Sequence, residues 1–286
     1  MAAALDDFSL LVDLKGPSDL QRRPAYLSPL DATDAKLAEV LAPYHFDEPY
    51  ACGLASCRQP HQQGFLVVTD DGLETNVGKN CGKRIFGEEF AIKANLQRQR
   101  ADLKYQLETL QRVLDDKDKH LVRISELYER RTGTRWADAL LRRLKESIGR
   151  QTVSKLYAMA ARRETSIEDV RDATKEERER HQAMNPDAKP LRYVPEKMGD
   201  LQGLSFLTAS PHSMATELKD KFHELHRIDA KALIAPKRRE WVTWANNIER
   251  EFDAIEEHLA DALRFFSADN RRLIDKLDEI ETKHAR

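Results

Sequence analysis

All three cysteines of this 286-residue chain, Cys52, Cys57 and Cys81, fall within one stretch of thirty residues. An odd count argues against a disulfide framework. His61 lies four residues after Cys57 and completes the pattern Cys-x4-Cys-x3-His-x19-Cys. Three thiolates and an imidazole suit a tetrahedral zinc ion, which holds the thiols deprotonated in return. The candidate ligands are therefore Cys52, Cys57, His61 and Cys81. His45 is a reserve fourth donor, set back by Pro49 and by aromatic flanks that read as a packed loop. Four protein donors leave no open position, so one structural Zn2+ is expected rather than a catalytic one.

The residues between the ligands support that reading. Gly64-Phe-Leu-Val-Val-Thr69 is β-branched and aromatic, Asp70-Asp71-Gly72 is a turn signal, and Leu73 to Val77 alternates. A β-hairpin is expected there, returning the chain to Cys81 and to a helix beginning near Glu88. Knuckle, hairpin, last ligand and helix follow the order of a treble-clef zinc module, which this stretch resembles. The run CGLASCRQPHQQGFLVVTDDGLETNVGKNCGKRIFGEEF is similar to the zinc segment of uncharacterised bacterial and bacteriophage proteins in which a helical tail follows. That resemblance implies a treble-clef-like Cys3His module ahead of a coiled-coil body, and carries no activity with it.

The remainder reads as helix. Charged residues make up 34% of the chain, against about 25% in an ordinary domain, and Gly and Pro number eleven each. From Glu88 to Arg131 there is no Gly or Pro, and a heptad frame places Leu107, Leu114, Leu121 and Tyr128 at a, with Leu96, Leu103, Leu110 and Ile124 at d. After Pro236 the pattern recurs, with Phe252, Leu259, Phe266, Leu273 and Ile280 at a and Ile248, Ile255 and Ala262 at d. The expected fold is mainly α: a small N-terminal zinc-binding β-hairpin module on an elongated helical, coiled-coil body, the two long helices forming an antiparallel hairpin. Self-association through the same heptads is the alternative.

The expected divisions are a lead at 1–43 with one short helix, a zinc module at 44–90, a long helix at 91–131, a middle segment at 132–235 and a long helix at 236–286. Ser28-Pro29-Leu30-Asp31 reads as a capping box opening the short helix, to about Ala42. Ser166-Ile-Glu-Asp169 reads as another, opening a polar helix. Trp136 to Ile148 and Thr152 to Arg163 read as two further helices in the middle segment. Tyr193-Val194 and Leu204 to Leu207 read as short strands in an irregular connector, and Trp241 and Trp244 as anchors against that segment.

Several apparent catalytic motifs fail on spacing. Gly72 to Asn80 has five residues between its glycines and Asn where a phosphate loop needs Ser or Thr; His223-Glu224-Leu225-His226 puts its second His one residue early for a zinc-protease helix. Apolar runs are short, as at Phe65 to Val68, and the start MAAALDDFSLLVDLKGP is acidic where a signal peptide is basic. A soluble, cytoplasmic protein is expected.

Charge is unevenly spread. Residues 1–90 carry eight Lys/Arg against fourteen Asp/Glu. Residues 134–163 carry Arg135, Arg142, Arg143, Lys145, Arg150, Lys155, Arg162 and Arg163 against Asp138 and Glu146, a net of +6. Such a pair of short helices suits phosphates. As a helix-turn-helix, however, it would put Arg150 and Lys155 where side chains should be buried. The leading expectation is a non-enzymatic adaptor binding a protein partner through the zinc module and coiled coil. The alternative is a nucleic-acid-binding factor using the basic helices, with zinc only structural.

Overall fold

A computed structural model describes residues 8–9, 11–185 and 187–284. The acidic first residues, which bear on the expectation of no basic leader, lie largely outside them, as do residues 285–286. The chain is mainly helical with a small antiparallel sheet near its N-terminus. None of its described helices is long and apolar enough to cross a membrane. It divides into two compact units, one formed by Met1–Arg112 with Ala230–Val242, the other by Val113–Asp229 with Thr243–Arg286.

In the first unit a short helix α1 (Pro17–Gln21) leads into strands β1 (Leu37–Ala51), β2 (Pro60–Thr69) and β3 (Glu74–Val77), paired antiparallel in that order. The β2–β3 hairpin is the expected one. Phe65 faces Val77 and Val68 faces Glu74, and Gly72 in the turn has φ 82°, a left-handed conformation that glycine adopts without a Cβ clash. β1 corrects the helix expected from Pro29 to about Ala42. Val40, Ala42, Tyr44 and Phe46 are all buried at every second position, a strand period. A register shift between Val40 and Ala42 sends Val40 to one face of the sheet, and Ala42, Tyr44 and Phe46 to the other.

Each face carries its own core. Val40, Cys52, Leu54, Phe65, Val67, Val77, Phe90 and Ala94 form one; Leu14, Leu20, Ala42, Tyr44, Phe46 and Leu66 form the second. The long helix α2 (Lys79–Asp115) is broken at Gly87 (φ 69°, ψ −152°), and so consists of a short piece, 79–86, and a long one, 88–115. Phe90, first on the long piece, packs edge-on to Phe65 at 5.5 Å and beneath Gly82, where any Cβ would come within 2.3 Å of its ring.

The second unit holds α3 (Lys117–Glu129), α4 (Thr134–Ser147), α5 (Arg150–Arg162), β4 (Ser166–Asp172), α6 (Lys175–Met184), β5 (Tyr193–Asp200), a 3-10 turn at Leu204–Leu207 and α7 (Pro211–Arg227). α8 (Ala235–Ala245) leads back into it, followed by α9 (Ile248–Phe265) and α10 (Ala268–His284). Three sequence expectations change here. The supposed capping box at Ser166 is strand β4, paired antiparallel with β5, which extends the short strand expected at Tyr193-Val194. The Leu204 to Leu207 strand is the 3-10 turn. The two long helices are interrupted, at Asp116, Asn247 and Phe266-Ser267.

The antiparallel hairpin between 91–131 and 236–286 is also corrected within this unit. Arg123 pairs with Glu249 at 2.7 Å and Arg130 with Glu256 at 2.5 Å. Both pairs keep the same offset along the chain, so α3 and α9 run parallel. α7 packs against both, antiparallel to α3. Tyr128 reaches Thr216, while His120, about two turns earlier, stacks on Phe222. The Pro and Gly residues of the connector suggest irregular chain, but Pro211 is the first residue of α7, where its missing N–H costs nothing. Trp244 is buried against Phe222 of α7 at 5.2 Å, as an anchor should be. On α9, Ile248, Phe252, Ile255, Leu259 and Ala262 are all buried, together with Phe265.

Candidate metal centre

Three separate segments bring the thiols together. Cys52 follows β1, Cys57 ends the tight loop after it, and Cys81 sits in the first turn of α2. The ligand sulfurs of the three all lie within 4.8 Å of one another, with Cys57 and Cys81 3.1 Å apart. Cys52 is fully buried; Cys57 and Cys81 are partly exposed. Backbone amides point at the sulfurs: Leu54 and Gly78 donate to Cys52, and Gln59 to Cys57. Gly53 makes the loop possible, because a Cβ there would fall 2.1 Å from the Thr75 hydroxyl.

The thiols compete for negative charge. Burial pushes Cys52 up, and burial with the hydrogen bond shared with Cys57 pushes Cys81 up to about 12. Cys57 alone is lowered, by the hydrogen bond from Cys81 and the amide of Gln59. Without a cation, the thiolate form is favoured at Cys57 and disfavoured at Cys52 and Cys81. A soft divalent ion allows three thiolates. The donor set therefore fits zinc chemistry, while what the structure itself shows is three convergent cysteines able to hold a metal ion.

His61 is not part of the group. It lies inside β2, and its Nε2 is 2.7 Å from the Tyr44 hydroxyl while Nδ1 is 3.2 Å from the Gln59 carbonyl. The ring rests against Gly78, whose Cβ position is 3.5 Å away. Sequence spacing put His61 beside the thiols; strand pairing turned it to Tyr44, which Asn76 also contacts at 3.0 Å. His45, exposed on β1 opposite Gln63, does not join the thiols either. Among the described residues no carboxylate or imidazole joins the three sulfurs. Cys81, Tyr44, His61 and Arg98 share the lining of a cleft of about 960 Å³ in the first unit. That lining was not legible from sequence, because Arg98 lies seventeen residues beyond the last cysteine.

The basic residues of 134–163 lie on α4 and α5 of the second unit. Arg135 pairs with Glu129, Arg142 with Asp138 at 2.9 Å and Arg162 with Glu164 at 4.0 Å, while Lys145 sits over the Tyr157 ring at 5.0 Å. No ion pair is recorded among the described residues for Arg143, Arg150, Lys155 or Arg163. Arg150 and Lys155 are exposed; the buried residues of α5 are Thr152, Leu156, Met159 and Ala160. The two side chains that a helix-turn-helix register would bury therefore stand at the surface.

Comparison with protein-family models, with curated proteins and with solved structures finds no match to this chain.

Proposed function

We propose that this chain is a non-enzymatic interaction protein whose first unit is held by one architectural zinc ion. The observation that carries the reading is the convergence of Cys52, Cys57 and Cys81, with amide donors aimed at the sulfurs. The order of loop, hairpin and helix is treble-clef-like. Zinc there would tie the loop after β1 to the first turn of α2, closing a region too small to be secure on apolar burial alone.

Three thiolates outweigh the charge of a divalent ion and leave a site of net negative charge, a weak Lewis acid for activating water. With His61 engaged by Tyr44, Cys52, Cys57 and Cys81 are the residues that would hold the ion, and the four-donor set expected from spacing is reduced to three. The helices of the second unit serve as scaffold for a macromolecular partner.

The test is thermal unfolding of the full chain with and without a strong zinc chelator, followed by circular dichroism. Chelation is expected to melt the first unit at lower temperature and to leave helical signal from the second. An unfolding curve indifferent to chelation would overturn the reading.

A further inference from the structure

We propose that α5 is a DNA-reading helix, whose exposed face enters the major groove of a duplex while α4 lies across the backbone. This goes beyond the zinc reading and is independent of it, because α4 and α5 belong to the other unit.

Ile148 and Gly149 alone join α4 to α5, giving two helices linked by a tight turn. The exposed residues of α5 are Arg150, Gln151, Ser154, Lys155, Ala161 and Arg162, with Ala158 half-buried among them. At about 100° per residue these share one face. Cations stand along its rim, and its middle is short: Ser154, Ala158 and Ala161 let the helix backbone approach base edges closely. Gln151 adds an amide of the kind that reads adenine. α5 contains no Asp or Glu.

The cations are available. Of the eight cations in 134–163, Arg150 and Lys155 on α5, Arg143 on α4 and Arg163 at the C-cap make neither an ion pair nor a ring contact among the described residues, while Lys145, also without an ion pair, stands over the Tyr157 ring. The opposite face of α5 is fixed by burial of Thr152, Leu156, Met159 and Ala160, and by Asp278 of α10, which accepts the Gly149 N–H at 2.8 Å. A face held this rigidly, basic and free of acids, is complementary to a duplex backbone.

Two features narrow the partner. A single strand is gripped by exposed aromatic rings, and Tyr157, the aromatic residue of α5, is half-buried under Lys145. The β4–β5 hairpin that follows carries Glu168, Asp169, Asp172, Glu196 and Asp200, while its Arg171 and Lys197 are spent on Glu177 and Asp200. Contact is therefore confined to α4 and α5.

The experiment is a fluorescence-anisotropy titration of the full chain against a labelled mixed-sequence duplex of about 24 base pairs, the matching single strand and the matching RNA duplex, starting near 50 mM salt. DNA duplex binding is expected, falling with salt at a log–log slope of about −4, one unit per available cation. Arg150→Glu with Lys155→Glu is expected to weaken it about ten-fold or more at unchanged melting temperature, since both side chains are exposed. Arg178→Glu with Arg180→Glu on α6 should leave it within about two-fold. No shift at low salt, full binding by the α5 variant, or preference for the single strand or the RNA duplex would each overturn the proposal. Chelation tests the first unit and this titration the second, so either reading can fail alone.

Discussion

Asp278 closes the start of α5 from 129 residues further along the chain, accepting the backbone N–H of Gly149 at 2.8 Å and the hydroxyl of Thr152. Gly149 is the N-cap of α5 and brings no side chain to the helix start, where the Asp278 carboxylate on α10 instead takes the Gly149 N–H and the Thr152 hydroxyl. Asp278→Ala should therefore cost about 1–2 kcal/mol, the usual worth of a helix cap. Asp275→Ala, which removes an exposed pair with Arg271, should cost less than about 0.5 kcal/mol. Urea unfolding of the two variants measures the difference; equal losses would show that the cap contributes nothing special.

A second prediction concerns Gly82. With a Cβ only 2.3 Å from the Phe90 ring, Gly82→Ala must push the first turn of α2 away from the core, at a cost of about 1–3 kcal/mol. Pairing it with Phe90→Leu removes the clashing ring and should recover part of that loss, so the double variant should be more stable than the two single losses added. Simple additivity in denaturant midpoints would contradict the contact.

The third prediction is a pH dependence in the second unit. His120 stacks on Phe222 at 4.9 Å and on Phe252 at 5.9 Å, and burial holds it below its ordinary value of 6.5. Glu249 and Asp116 act against the shift, while Arg123 and Lys119 reinforce it. A base with a depressed pKa binds fewer protons folded than unfolded. Its contribution is thus complete above 6.5 and lost as pH falls below that value. Denaturant midpoints of the second unit should drop between about pH 7.5 and pH 5.5, and His120→Phe, which keeps the stack, should flatten that drop. An undiminished slope in the variant would assign it to other groups.

These particulars show why the sequence disclosed some elements and hid others. The β2–β3 hairpin was legible because Asp70-Asp71-Gly72 makes its turn locally. β1 was hidden by Ser28-Pro29-Leu30-Asp31, which mimics a helix start, although the alternation Val40, Ala42, Tyr44, Phe46 was there to read. β4 pairs with a strand more than twenty residues away, so no local signal outweighed its apparent capping box. The three cysteines declared themselves by composition alone. His61 misled, because ligand spacing takes no account of strand pairing, and pairing commits that ring to Tyr44. In the helical body the apolar spacing located the buried face of α9, yet spacing names no partner, and α7 packs against both α3 and α9.

The most direct test is elemental analysis of the full chain, purified under reducing conditions without added chelator, beside Cys52→Ser and Cys81→Ser. Three convergent thiols predict about one zinc per chain, falling to near zero in both variants. A folded native chain with no bound metal, or a Cys57–Cys81 disulfide persisting under reductant, would contradict the metal centre on which the proposed function stands.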